Sequence, residues 1–197
     1  MDLDIENSSI STILGVRKRK KKNKEKINQL NISIIKIRKN IDLLKGAEII
    51  KAEVKSQYFK IEEIIKQLKE TYSLIIVDTV NREDFKELKS FIENSEQYIF
   101  LIEPNLIEIK KANNLISNYI KKFSIKKEKI KLIFNKININ SISENILLNI
   151  FSEFKILGGI KYNRQYNLII NKNNKYNIYN KRIEKQYNKI IKQIYIN

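Results

Sequence analysis

Three short apolar runs constrain this chain most. Leu74-Ile75-Ile76-Val77, Tyr98-Ile99-Phe100-Leu101-Ile102 and Ile130 to Phe134 carry almost no polar alternation. A strand wetted on one face alternates apolar and polar residues, whereas an uninterrupted run suits a strand covered on both faces. Helical periods separate these runs. Phe59, Ile61, Ile64, Ile65 and Leu68 recur at helical spacing in residues 59–69, with Lys and Glu between them. Phe85, Leu88, Phe91 and Ile92 mark a second amphipathic helix, and Leu106, Ile109, Leu115, Ile116, Tyr119 and Ile120 a third. Ile146, Leu147, Ile150 and Phe151 mark a fourth, and Phe154 to Ile160 reads as a last core strand. A terminal helix over about 181–195 places Ile183, Tyr187, Ile190, Ile191 and Ile194 on one face. Earlier, Ile41-Asp42-Leu43-Leu44 before Lys45-Gly46 reads as a short strand with a turn. Strands alternating with helices of about 10–15 residues form βαβ units, whose right-handed crossovers build a parallel sheet. The expected fold class is α/β, a mostly parallel sheet with helices on both faces.

Two spacings add local detail. Asn105 with Glu108, and Ser141 with Glu144, have the separation of a helix cap and its reciprocal acid. Asp78 ends the first apolar run. An acid at the carboxyl end of a buried parallel strand lies where α/β proteins place ligands. It either holds the water shell of Mg²⁺ or caps the following loop.

Composition excludes several chemistries. With no Cys and no His, disulfides, thiolate or imidazole metal sites, Cys nucleophiles and His-based triads are all ruled out. The absence of Cys fits a cytoplasmic protein. No apolar run reaches the roughly 18 residues of a membrane span. Asp2, Asp4 and Glu6 make the N-terminus unlike a signal peptide. The 197 residues suffice for one compact domain, residues 1–197. The formal charge is +17, which steers a protein toward nucleic acid or an anionic membrane. Ile, Lys and Asn make up about half the chain. All three have AT-rich codons, so genome bias offers a second origin for the charge.

In order along the chain, these landmarks resemble the MinD/ParA family of P-loop ATPases, including the CpaE-like pilus-assembly branch. Met1-Asp2-Leu3-Asp4-Ile5-Glu6-Asn7-Ser8-Ser9-Ile10, with Leu14-Gly15, resembles that family's second strand and switch segment. Ile41 to Gly46 resembles the short strand before its long helix, and Tyr72-Ser73-Leu74-Ile75-Ile76-Val77-Asp78-Thr79 its "YDYIIIDT" segment. Ile102-Glu103-Pro104-Asn105 resembles the segment around a family Pro. Leu132-Ile133-Phe134-Asn135-Lys136 resembles the strand whose Asn reads adenine, and Leu157 to Asn163 resembles "lG.IPyd". The resemblance implies a P-loop NTPase fold and ATP with Mg²⁺ as cofactors. It implies Asp2 and Asp4 near the attacking water and metal, as catalytic residues. It places Asp78 on the metal shell, and Asn135 and Pro104 at the nucleotide. The implied role is ATP-dependent positioning of a plasmid, a division site or a pilus machine by nucleotide-gated dimerisation.

The departures are as informative. No G-x-x-x-x-G-K-[ST] occurs, and Gly15, Gly46, Gly158 and Gly159 cannot form one. Phosphates need a run of backbone N–H groups at a helix N-terminus and a Lys. The family's loop lies just before the D-x-D segment, where this sequence starts. Val80-Asn81-Arg82 replaces the expected Pro-Pro-Gly, and Lys161 the late Pro. The expectation is a domain lacking the first strand, phosphate loop and first helix, either a fragment or a degenerate relative. In both cases it would turn over no ATP alone. A non-enzymatic scaffold on the same fold and a basic DNA-binding module are the rival readings.

Two basic stretches bear on partners. Residues 17–26, Arg-Lys-Arg-Lys-Lys-Lys-Asn-Lys-Glu-Lys, read as a solvated loop or a non-specific DNA site. In the terminal helix, Lys181, Arg182, Lys185, Lys189 and Lys192 oppose the Ile face. That helix either packs on the sheet or lies on an anionic membrane. A homodimer, DNA and a membrane surface are the partners in view, with a cytoplasmic location peripheral to membrane or nucleoid.

Overall fold

The computed structural model describes residues 1, 3, 34–44, 61–79, 88–164 and 181–195, with side chains omitted for 181–183. Asp2, Asp4, the switch-like segment through Gly15, the 17–26 run, Lys45-Gly46, Phe59, Val80-Asn81-Arg82, Phe85 and the Asn-rich stretch 171–180 lie outside the described residues. The chain divides into two compact units, Met1–Asn94 and Ser95–Asn197.

In the first unit, β1 (Ile34–Arg38) and β2 (Ile41–Leu44) form an antiparallel hairpin. Ile34 faces Leu44 and Arg38 faces Ile41, leaving Lys39-Asn40 as a two-residue turn. The turn after β2 expected from Lys45-Gly46 is therefore preceded by one the sequence reading did not place. Helix α1 (Ile61–Thr71) buries Ile61, Ile64, Ile65 and Leu68, the expected stripe. Glu62 and Glu63 in its first turn and Lys69 in its last complement the helix dipole. Short α2 (Lys89–Glu93) buries Phe91 and Ile92. The Ser90 hydroxyl donates to the Glu62 carboxylate, and Lys69 Nζ donates to the Asn94 carbonyl at 3.0 Å, tying the two helices. The Tyr72 hydroxyl donates to Asp42 Oδ2 at 2.8 Å, linking the end of α1 to the hairpin.

The run at 74–77 departs from expectation. It forms no ladder with another strand among the described residues, and only Asp78 makes a bridge. Leu74 is 49% and Ile76 69% exposed. Ile75 and Val77 are half-buried. The segment has the alternation of a strand wetted on one face, although its composition suits cover on both. Its described backbone partners are Met1 and Leu3.

The second unit is a parallel sheet in the order β3-β4-β5, made of Tyr98–Ile102, Ile130–Ile137 and Lys155–Lys161. Central β4 pairs Ile102 with Phe134 on one side and Leu132 with Ile156 on the other. It is buried from Ile130 through Phe134, as its continuous apolar run requires. Helix α3 (Leu106–Phe123) and α4 (Glu144–Ile150) connect the strands, and α5 (Lys181–Tyr195) closes the fold. Phe100 lies in register with Leu132 and packs edge-on to Tyr119 of α3, centroids 5.6 Å apart. On that face Phe134 meets Phe151, just past α4, at 5.9 Å. Ile133 points the other way and clusters with Leu157, Ile160 and Ile190, with Ile194 against them. Strand alternation thus puts α3 and α5 on opposite faces of the sheet. The terminal helix packs on the sheet through Ile190 and Ile194, while Tyr187 and Ile191 of the expected face stay partly exposed. No helix among the described residues is long and apolar enough to cross a membrane.

The capping expectations divide. Asn105 Oδ1 accepts the Glu108 N–H at 3.0 Å, as predicted. Glu108 does not reciprocate, because its carboxylate pairs with Lys111 at 2.7 Å and the Asn105 N–H donates to the Glu103 carbonyl. Asn105→Ala should cost about 1 kcal/mol in urea unfolding, and Asn105→Ser should cost almost nothing. An Asn105→Ala chain as stable as its parent would show that the bond contributes nothing. Before α4 the cap is Ser143 rather than Ser141, and it makes no side-chain bond. Ser141 Oγ instead accepts the Asn138 N–H at 2.9 Å, closing the preceding turn.

Candidate functional site

The carboxyl ends of β3 and β4 carry the polar constellation of the second unit. Register sets it. Because Ile102 faces Phe134, the next residues, Glu103 and Asn135, emerge side by side. Lys136 Nζ bonds the Glu103 carboxylate and joins the two strand ends. Pro104 is buried, and its carbonyl accepts the Ile142 N–H at 2.9 Å. That bond docks the loop after β4 against the entrance to α3. On the far side the Tyr162 N–H donates to the Ile137 carbonyl at 2.9 Å, fastening β5 to the same rim.

Asn135 is half-buried within this rim. Its Oδ1 accepts the N–H of its own neighbour, Lys136, at 3.0 Å. Among the described residues none accepts from its Nδ2. The side chain therefore has an occupied oxygen and an available donor. Lys136 has a φ of 58°, in the left-handed region. For a non-glycine residue that conformation costs about 1–2 kcal/mol. Three bonds offset the cost. Its N–H goes to Asn135, its Nζ to Glu103, and its carbonyl accepts from Asn138 Nδ2 at 3.2 Å. Asn138 is itself held by Ser141 Oγ and by the Asn140 N–H. Strained backbone held by several partners is concentrated at functional sites.

The sequence-predicted residues fall as follows. Pro104 and Asn135 come together on this rim. Asp78 belongs to the first unit, where it is exposed. Its N–H donates to the Met1 carbonyl at 2.8 Å and its carbonyl accepts from Leu3 at 3.0 Å. The Met1 ammonium reaches the Ile76 carbonyl. This stagger is that of a parallel pair, so the opening residues run alongside the Asp78 segment, as the resemblance implies for the second strand. Asp2 and Asp4 lie outside the described residues. Sequence reasoning missed Glu103 and Lys136. Their signal was an acid and a base each following a buried strand, and it becomes readable only once the strand register is known.

No family model matches the chain, and no curated protein does. A solved structure does. The chain resembles the crystal structure of a Borrelia burgdorferi B31 protein assigned to plasmid partition, bound to AMPPNP. The TM-score is 0.67 at 21% identity, over 98% of this chain and 84% of that one. The chain has the fold of that partition protein. The expected α/β fold is thereby borne out.

The residues present can be tested against a nucleotide on this fold. At the base end, a fixed amide with an available donor at the carboxyl edge of the central strand suits a purine ring nitrogen or carbonyl. The 197 residues contain no G-x-x-x-x-G-K-[ST] phosphate loop, and among the described residues no group of three or more acids could hold a metal ion.

Proposed function

We propose that this is a partition-type positioning protein that recognises an adenine nucleotide at the carboxyl end of β4, and that residues 1–197 by themselves turn over no ATP. One observation carries the reading. The half-buried Asn135 amide, its oxygen held and its nitrogen available, lies two residues before the end of the central strand, in a fold whose solved relative carries AMPPNP. Asn135 and the rim around Pro104 serve the base. Phosphoryl transfer depends on electrostatic stabilisation of the transferring group, and these residues contain no G-x-x-x-x-G-K-[ST] loop to supply it. Plasmid partition is the positioning role that the relative supports.

The test separates base from phosphate. Adenosine titrated into ¹⁵N-labelled chain should shift the Asn135 and Lys136 resonances, with weak, millimolar-range affinity. Asn135→Ala should weaken it about five- to tenfold, the loss of one hydrogen bond. Mg²⁺-ATP should bind no more than a few-fold tighter than adenosine and should not be hydrolysed. Adenosine that leaves the Asn135 rim unshifted removes the base site. Measurable hydrolysis by residues 1–197 removes the second half of the proposal.

A further inference from the structure

We infer that the amino end of the β3-β4-β5 sheet, beneath the last turn of α5, is a seat for a hydrogen-phosphate group, held by Lys131 and Lys155 and read by Gln97. The seat lies at the opposite ends of the strands from Asn135, so it does not depend on the base reading.

Two polar anomalies meet there. Lys131 is 7% exposed, the one charged residue so covered among the described residues. None of those residues pairs with its ammonium, although lysine is rarely so covered without a partner. Gln97 Oε1 is the one sealed side-chain oxygen or nitrogen among them that lacks a hydrogen-bond partner. Both residues belong to the sheet face that carries α5. Strand alternation puts Lys131 with Ile133, which clusters with Ile190. Gln97 comes just before Tyr98, the register partner of Ile130, and its Nε2 donates to the Ile194 carbonyl of α5 at 3.4 Å. Lys155 of β5 stands opposite Lys131 in register, a second cation on the same face. Like charges directly opposite each other weaken a sheet. Glu153, two residues before Lys155, pairs with Lys127 at 2.7 Å.

This set of groups asks for one ligand with two properties. The ammonium groups need negative oxygens, and the Gln97 oxygen, which can only accept, needs a hydroxyl. Hydrogen phosphate carries both near neutral pH. Sulfate and carboxylates carry the negative oxygens without the proton. An oxyanion between Lys131 and Lys155 also replaces their repulsion with two charge-assisted hydrogen bonds. Lys131 Nζ is not among the sealed atoms, so the stem is covered while the ammonium stays within reach of a ligand. The cover over Gln97 is the last turn of α5, and its 3.4 Å bond there is long for a hydrogen bond. A ligand hydroxyl therefore displaces little to reach Oε1.

The test titrates ¹⁵N-labelled chain with inorganic phosphate, sulfate or glycerol 3-phosphate, in phosphate-free buffer at constant ionic strength. Phosphate at millimolar concentration should shift Lys131, Lys155 and the Gln97 side-chain amide, and should bind about fivefold tighter than sulfate, the scale of one hydrogen bond. Lys131→Met keeps the stem and should weaken phosphate about tenfold, the scale of a bond to a charged group. Lys155→Met, at an exposed position, should weaken it about threefold. Gln97→Leu should lower phosphate to the level of sulfate and leave sulfate unchanged. Circular dichroism should show all the variants folded. Glycerol 3-phosphate that binds as tightly as phosphate assigns the seat to an ester-borne group, and much weaker binding assigns it to the free ion. Phosphate and sulfate that bind alike, untouched by Lys131→Met, would reduce the effect to general screening of the +17 charge and overturn the seat. So would a Lys131→Met chain less stable without phosphate, in which no anion shifts the wild type, since the ammonium would then be paired within the chain.

Discussion

Phe151→Ala should destabilise the chain by about 3–5 kcal/mol, the usual cost of emptying a large aromatic site. Phe151 is 0% exposed and sits at the carboxyl end of α4. Its ring lies 5.9 Å from that of Phe134, tilted by 50°. Its backbone is fixed as well, since its N–H donates to the Leu147 carbonyl and its carbonyl accepts from Phe154, both at 3.0 Å. With both ends of the turn held, the site cannot collapse onto the smaller side chain, so the cavity remains. The cavity borders Phe134, the residue before Asn135. Loss of the ring therefore frees the strand at the point where the amide is presented, and adenosine affinity should fall along with stability. Phe151→Leu, which refills most of the volume, should cost about 1 kcal/mol. Urea unfolding of the three chains decides the matter. A Phe151→Ala loss below about 1 kcal/mol would mean that the ring is not part of a close-packed core.

Contrasts between elements show which physics was legible from the residues. The expected strands 98–102, 130–134 and 154–160 and the expected terminal helix match β3, β4, β5 and α5 closely. Each is a long, strongly patterned segment whose period matches its tertiary burial. The Asn105 cap was legible because it depends on a residue three positions away. By contrast, β1 went unseen. Its turn, Lys39-Asn40, lacks the Gly that usually marks a two-residue hairpin loop. The 74–77 run was read as doubly covered because composition reports what a strand could bury. What covers it depends on neighbouring strands, which sequence does not name.

The site divides along the same line. Asn135 was singled out through resemblance, and its surroundings were not. Nothing local marks Lys136 for left-handed backbone, since lysine has no special tolerance for it. Its bonds go to Glu103, 33 residues earlier, and to Asn138. A strained residue bonded to a distant partner leaves no periodic trace. It becomes visible when the strand register brings Glu103 and Asn135 to the same edge.

Gly158→Ala should cost about 3 kcal/mol, and Gly159→Ala, its neighbour in β5, about 1 kcal/mol or less. The two glycines look equivalent in sequence, but their surroundings differ in kind. Gly158 has a φ of 145°, and a Cβ there would stand 3.2 Å from Ile190 Cγ1. Side chains rarely adopt that backbone, and Ile190 is 4% exposed within the cluster of Ile133, Leu157 and Ile160. Helix α5 cannot easily retreat to make room. Gln186 Oε1 accepts the Lys161 N–H at 3.0 Å near one end, and the Ile194 carbonyl accepts from Gln97 Nε2 at 3.4 Å near the other. A new methyl would press the middle of a helix fastened on both sides of it. At Gly159 the backbone is not left-handed, and the Cβ would meet Ile137 Cδ1 at 2.4 Å. That is a closer approach, but to the terminal methyl of a half-buried side chain that can swing to another rotamer. Distance alone predicts that Gly159→Ala is the worse substitution. Backbone conformation and freedom to move predict the reverse order. Urea unfolding of the two single variants distinguishes them, and a larger loss at Gly159 would show that the packing of α5 on β5 is looser than these contacts require.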